Sequence, residues 1–411
     1  MTHPSYSLGV RIRLSAMMFL QYLMLAVWFV PLAAYLDKLQ MSGLQKAWIL
    51  SSMALGCLAS PLIGMVADRH FASERVLATL NLAAAVLLAA AARVTSPAMV
   101  FILLLAVMLC YMPTWGLTSA IAMSHSPAEK FPQIRVFGSI GWVAAGLFSL
   151  VARWAFGATI DGTAATLYCG AAAGLVAALA ALALPHTPPP AKGQPASVLD
   201  VLGLRSLVLL KNFSFAVFIL TYFLVMIPFS IYWSYGSAFL NDKGFKFITV
   251  TMNWGQVAEM VFMLLIPLVI AKVGVKWAMT IGLAALVVRY VSFLLGEMYS
   301  QTWLYFLAIL VHGLIFGFYF VGGQIYVDRV APKEMRAQAQ GFVFLAGFGI
   351  GLGAGNFING WLIDAYTTAG VRDWQTIWTV TAVTSVVLLL AFAALFHWRP
   401  SPEPAREPAA A

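Results

Sequence analysis

Apolar residues fill long blocks of this chain, and polar ones gather in short gaps between them. Most blocks hold the twenty or so residues that a helix needs to cross a bilayer core about 30 Å thick. Twelve spans are predicted, at 14–36, 46–66, 76–93, 98–123, 132–155, 164–184, 213–239, 247–271, 276–296, 302–326, 337–363 and 375–396. The first is too long for a signal-peptide core and has no small-residue cleavage site after it, so it reads as a retained helix. Two stretches break the pattern. Residues 185–212 are Pro-rich and polar before turning amphipathic, which marks a linker. Residues 399–411 read as a disordered tail. The expected fold is an all-α membrane protein. It has two six-helix bundles, 1–184 and 213–398, joined by the linker and followed by the tail.

Composition narrows the class. Of 411 residues, 62% are hydrophobic and 9% charged, where a soluble domain carries about 25% charged. That excludes an ordinary soluble enzyme, a disordered chain and a nucleic-acid-binding domain. Placing the 24 Lys and Arg explains the net charge of +9. With both termini in the cytoplasm, fifteen fall in inner segments, seven in outer loops, and Arg135 and Arg289 lie within spans. This inward bias supports that orientation and an even number of spans. Cys57, Cys110 and Cys169 sit in apolar runs and read as small apolar side chains.

Six spans on each side of the linker suggest a duplicated unit, the plan of secondary transporters that rock about a central site. Ser60-Pro61-Leu62-Ile63 and Ile266-Pro267-Leu268-Val269 recur at the ends of spans two and eight. The loop after span two carries Gly64-x-x-x-Asp68-Arg69. This resembles the G-x-x-x-D-R signature of the major facilitator superfamily and falls where that superfamily has it. Gly64 would let a neighbouring helix approach closely, and Asp68 would sit at a helix N-terminus, where the dipole favours an anion. The three are assigned a gating role.

Ionisable groups within a span are costly, so each is a functional candidate. Glu259 is the only carboxylate well inside a span, and Gln256 lies on the same helix face. Glu259 and Arg289 fall at similar depths and could pair, either to fix packing or to set a coupling carboxylate. Desolvation favours the neutral acid and a nearby Arg the carboxylate. Arg135, Ser139 and Trp142 share one face of span five as a cation, a hydroxyl and a ring, a set that suits a small polar ligand. Arg135 could equally snorkel to the interface. His312, with Phe316 a turn along, is a further candidate or a packing residue. Gly347, Gly351 and Gly355 form a close-packing face. No metalloprotease, serine-hydrolase or phosphate-loop motif is present, and no cofactor is expected.

The runs at 111–117 (YMPTWGL), 131–142 (FPQIRVFGSIGW), 255–262 (GQVAEMVF), 336–342 (RAQAQGF) and 373–378 (DWQTIW) resemble the bacterial nucleoside permeases. Those are the nucleoside:proton symporter family of the major facilitator superfamily. The likeness covers nearly the whole chain. It implies a major facilitator fold in the bacterial inner membrane and proton-driven nucleoside import by alternating access. By position, the implied substrate residues are Arg135, Ser139, Trp142, Gln256, Glu259 and Phe316, with Glu259 coupling the proton. Four positions depart from the family. Ser230 and Trp233 replace a Gln and an Asn that face the ligand, His312 replaces a Tyr, and Gly317 an Asp. Ser230, Trp233 and His312 are kept as substrate-binding positions. The loss of two amides leaves a second cargo open, namely a sugar, glycoside or other small polar metabolite. A non-transporting receptor or intramembrane enzyme is the reading from another class. The expected partners are the substrate, the proton and the lipid bilayer, with no nucleic acid, and the unit is read as a monomer.

Overall fold

The structure is a computed structural model. It describes residues 7–127, 130–189, 204–332 and 335–398, and only the backbone of 66–68 and 337. Its helices are α1 (Leu8–Lys38), α2 (Gly43–Met65), α3 (Ser73–Ala91), α4 (Pro97–His125), α5 (Phe131–Phe156), α6 (Ala165–Leu182) and α7 (Phe213–Asp242). Then come α8 (Ile248–Met263), α9 (Ile266–Tyr299), α10 (Thr302–Val330), α11 (Gln338–Ala365) and α12 (Trp374–Leu395). Among the described residues, eleven helices, all of these but α8, are long and apolar enough to cross a membrane.

Local chemistry sets the helix ends. Ser42 and Gln45 form a capping box at the start of α2. The Asn212 side chain accepts from Phe215 N at 3.1 Å to start α7, and Asp373 from Thr376 N at 3.0 Å to start α12. Prolines set the interruptions. Pro31 lies between the two pieces of α1, and Pro113 opens the second piece of α4.

The boundary between spans eight and nine differs from the expectation of 247–271 and 276–296. Helix α8 stops at Met263 and α9 opens at Ile266 with Pro267 in its first turn, where the missing N–H breaks no bond. The run is then interrupted at Gly274, whose φ of +79° only glycine adopts freely. The repeated Ser/Ile-Pro-Leu-Ile/Val motif therefore marks different structures. Pro61 lies inside a continuous helix, and Pro267 starts a new one.

Helix α1 packs on α5 and α6, and α3 on α4 and α6. In the last six helices, α9 packs on α12, and α7 on α11 and α12. The glycine stripe of α11 faces α7. A Cβ on Gly347 would lie 2.8 Å from Tyr222 Cδ1, on Gly351 3.0 Å from Met226 Cγ, and on Gly355 2.8 Å from the Met226 carbonyl. The outer faces are apolar, with Trp154 and Leu264 at 87% and 77% exposed. Such a surface is an aggregation liability in water and the ordinary one in lipid.

Three features were not expected from the pattern. Helices α10 and α11 contain π-helical stretches, Ile315–Val321 and Leu345–Gly351, a geometry that recurs at functional sites. A small antiparallel hairpin pairs Thr367–Thr368 with Val371–Arg372 around Ala369 and Gly370, both at positive φ as its tight turn requires. The linker begins pinned to α3, since Glu74 accepts from Thr187 N at 2.9 Å and meets His186 Nδ1 at 2.8 Å. It ends in a 3-10 helix, Leu204–Lys211. Residues 190–203 and the tail at 399–411 lie outside the described residues.

Candidate functional site

A cavity lies where the first six helices meet the last six. Its walls come from Phe29 and Val30 of α1, Trp142 of α5, Tyr232 and Trp233 of α7, Met252, Asn253 and Gln256 of α8, and His312 of α10. Its free volume is about 30 Å³, room for a water or two. Trp233 is the hub of its rings. It stacks on Phe229 at 5.7 Å and on His312 at 6.1 Å, and meets Trp142 at 5.6 Å with a 33° tilt. Two tryptophans from opposite sides therefore touch across the cavity.

Polar chemistry is supplied by α8. Its Asn253, Gln256 and Glu259 follow at three-residue spacing, so they line one side of the helix. Gln256 Nε2 donates to Glu259 Oε2. Glu259 is buried, and His312 Nε2 lies 3.7 Å from the same oxygen. Gly313 sets this approach, since a Cβ there would lie 2.5 Å from the Ala258 carbonyl. Among the described residues, no Lys or Arg forms an ion pair with Glu259.

Arg289 was open as a partner of Glu259. It instead bonds to His312, with Nη2 at 2.8 Å from Nδ1, while Nε donates to the Ala308 carbonyl at 3.1 Å. Its guanidinium lies 4.3 Å from the centre of the Tyr232 ring, wholly buried. Arginine only donates. His312 Nδ1 is therefore the acceptor, and the ring proton sits on Nε2, the nitrogen facing Glu259.

On α5, Arg135 is half-buried with its guanidinium 4.5 Å above the Tyr22 ring. Gly138 makes that fold-back possible, since a Cβ would lie 2.8 Å from Arg135 Nη1 and 2.9 Å from Tyr22. Tyr22 stacks on Trp115 at 5.6 Å. Ser139 is half-buried one turn on, and of the α5 stripe only Trp142 reaches the cavity wall.

Several of the expected site residues lie off the cavity wall, Glu259, Arg135 and Ser139 among them. Ser230 does not line the cavity. Its hydroxyl donates to the Ile227 carbonyl at 3.1 Å, accepts from Asn359 Nδ2 at 2.8 Å, and packs on Gly355 of α11. Phe316 lies behind the cavity wall, against His312 at 6.1 Å and Phe320 at 5.7 Å. Gly64 meets no described neighbour, since a Cβ there would find nothing within 4 Å. Among the described residues, no other helix packs closely at that point. The helix of α2 runs on past Met65 to His70, and in its last turn Arg69 donates to the Met65 carbonyl at 3.0 Å. The Asp68 side chain lies outside the described residues. Asn253, Tyr22 and Tyr232 were not singled out from the sequence. Asn253 carried the plainest signal, a polar residue three before Gln256 within a span.

Between this cavity and the hairpin, the two sets of helices are tied together. Arg372 bonds to both oxygens of Asp37 and to Asp242 at 2.9 Å, and Lys46 pairs with Asp37. Burial opposes the Arg372 charge, but Asp37 and Asp242 outweigh it and hold its pKa above the ordinary value, so it stays charged. Asp364 of α11 accepts from Gly43 N at 2.5 Å and Leu44 N at 2.9 Å, a carboxylate on the N-terminus of α2. Gly43 and Gly360 touch backbone to backbone, since a Cβ on Gly360 would lie 2.5 Å from the Gly43 carbonyl. Nearer the cavity, Asp161 accepts from Thr249 N at 3.0 Å.

The profile of a family described as Nucleoside H+ symporter matches residues 8–401. YegT of Escherichia coli K12 is 36% identical over 94% of this chain and 93% of its own length. The xanthosine permease of the same organism is 30% identical over 96% of this chain and 98% of its own. The crystal structure of the nucleoside transporter NupG, 30% identical, superposes with a TM-score of 0.85 over 95% of this chain and 100% of that one. The fold is the major facilitator fold in a multi-pass membrane protein, as the motifs implied. A family match along nearly the whole chain, with relatives of this identity and coverage, shows that the chain belongs to the nucleoside:proton symporter family.

Proposed function

We propose that this chain imports a nucleoside together with a proton across the cell inner membrane by alternating access. Glu259 carries the proton, and Arg135, Gln256, Trp142, Trp233 and His312 form the substrate site. The placement of Glu259 carries the reading. It is a buried carboxylate just behind the cavity wall, held by the amide of Gln256 and faced by the His312 imidazole, both of which line the cavity, and among the described residues it pairs with no Lys or Arg. A carboxyl held this way can exchange a proton. His312 is a poorer carrier, because Arg289 occupies its second nitrogen.

Two bundles, 1–184 and 213–398, rock about this site as twelve crossings, with both termini in the cytoplasm. In that frame α8 and the opening turns of α9 form the eighth crossing. The hairpin end faces outward, its ties hold the outer entrance shut, and Gly64 lies at the open inner end. The collapsed cavity fits this state. Trp142 and Trp233 part to receive the base between their faces, an arrangement worth about 0.5–1.5 kcal/mol beyond burial for each aromatic pair. Arg135, Gln256 and Glu259 offer a cation, an amide and a carboxyl to the ribose hydroxyls and the base edge. Phe316 supports His312 from behind, Ser139 adds a hydroxyl beyond Trp142, and Ser230 serves helix packing.

Arg135→Ala tests the site. Losing a charge-assisted hydrogen bond costs about 1.5–3 kcal/mol, so binding by the purified protein is expected to weaken roughly ten- to a hundredfold. Unchanged affinity would leave Arg135 as a packing partner of Tyr22. A thermal-shift panel of nucleosides and sugars checks the cargo. Stabilisation by nucleosides is expected, and stabilisation by sugars alone would replace the nucleoside with a sugar or glycoside.

A further inference from the structure

Two buried polar atoms of the cavity-lining residues have no hydrogen-bond partner, Trp233 Nε1 and Asn253 Oδ1, and of the two residues only Asn253 lies outside the proposed site. Asn253 is 4% exposed and lines the cavity. Its Nδ2 donates to the carbonyls of Trp142 at 3.3 Å and Val143 at 3.0 Å. Those carbonyls lie in the last turn before the break in α5, where the helix stops at Ala144 and resumes at Gly146, and the Ala145 N–H is their backbone donor. A broken helix leaves carbonyls short of their regular partners, and a side chain from outside can supply them. Gly146 allows the approach. A Cβ there would lie 3.1 Å from Val250 and 3.4 Å from Asn253 Nδ2.

This contact fixes which way the amide points. An amide oxygen set against two carbonyl oxygens would be repelled, so the NH2 faces α5 and Oδ1 points away from it. Oδ1 is buried and has no hydrogen-bond partner. Buried polar atoms are nearly always partnered, and an exception calls for a reason. Asn253 also sits on the row that leads through Gln256 to Glu259.

We infer that Asn253 is a further substrate-binding residue. Its Oδ1 accepts a hydrogen bond from an N–H or O–H of the substrate, while its NH2 ties α8 to the break in α5. The inference rests on the nucleoside reading. Nucleosides offer both donor types, on the base (a ring N–H or exocyclic amine) and on the ribose. One side chain would then join the ligand and the two sets of helices, and could bond to the substrate only when α5 and α8 are together.

The test is a binding panel on the purified full-length protein, by calorimetry. The probes are uridine, adenosine, their 2′-, 3′- and 5′-deoxy forms, N3-methyluridine and N6,N6-dimethyladenosine. Asn253→Ala and Asn253→Ser are measured beside the parent, the serine keeping a small hydroxyl at the α5 break. In the parent, one analogue lacking a donor should bind roughly tenfold weaker than its nucleoside, as for one lost hydrogen bond. In Asn253→Ala the nucleoside should weaken by about the same factor, and that analogue should lose nothing further. Asn253→Ser should show the same selective pattern. A loss that is uniform across the panel, or no loss, would overturn the contact and leave Asn253 as a helix tie. If the parent binds no nucleoside at all, the nucleoside reading fails and this inference with it.

Discussion

Glu259→Gln is expected to abolish uphill uptake while leaving substrate exchange intact. Glutamine has the shape of the protonated acid, can still accept from Gln256, and keeps an amide oxygen toward the His312 N–H. The change therefore removes the exchangeable proton and little else. For one proton per substrate, an inward gradient of one pH unit is worth about 1.4 kcal/mol, or a tenfold accumulation. The parent protein in proteoliposomes should approach that ratio, and Glu259→Gln should stop at equal concentrations inside and out. Counterflow between labelled and unlabelled substrate should persist in the variant. If Glu259→Gln still concentrated substrate, the proton would travel on another group, and the isolation of this carboxylate would need a structural explanation.

The second large effect is expected at the crossing of Gly43 and Gly360. A Cβ on Gly360 would lie 2.5 Å from the Gly43 carbonyl and 2.8 Å from the Ala47 Cβ. Backbone cannot yield as a flexible side chain does, so Gly360→Val wedges α2 and α11 apart. Overpacking of this kind costs about 1–3 kcal/mol, and on the proposed cycle it falls on the closed arrangement, in which the two glycines touch. Transport should fall by roughly tenfold to a hundredfold. A cysteine at Ala34, which is fully buried and donates its amide N–H to Ser237, should become reactive to a polar thiol reagent. Arg372→Ala removes the ties to Asp37 and Asp242 without adding bulk, and should expose the same cysteine to a smaller degree. Continued protection of that cysteine in Gly360→Val would show that this crossing does not hold the entrance shut.

The helices were legible because long apolar runs are a strong signal and the bilayer fixes their length. Their interruptions were less so. Pro31, Pro113 and Pro267 announce breaks, and Gly274 permits one, but only the packing shows that α8 ends at Met263 and that α10 and α11 pass through π-helical turns. The glycine stripe of α11 was readable because its four-residue spacing has one main use, while Gly64 had the same residue type and no described neighbour. Among the polar positions, Glu259 and Gln256 stood out as costly within lipid. The partnership of Arg289 with His312 did not, because similar depth along two helices leaves rotation about each axis open. Ser230 shows the same limit. The family resemblance placed it at a ligand-facing position, but its hydroxyl turns to Ile227 and Asn359. The ties between Arg372, Asp37 and Asp242 join residues far apart in the chain, and no local pattern announces them.

Proton-coupled nucleoside import is tested most directly by uptake into proteoliposomes holding the purified protein, with a panel of nucleosides, with and without an inward proton gradient. The account predicts that at least one nucleoside accumulates above its external concentration when the gradient is present, and only equilibrates when it is absent. Uptake of every nucleoside that is indifferent to the gradient, or that does not exceed protein-free vesicles, would contradict it.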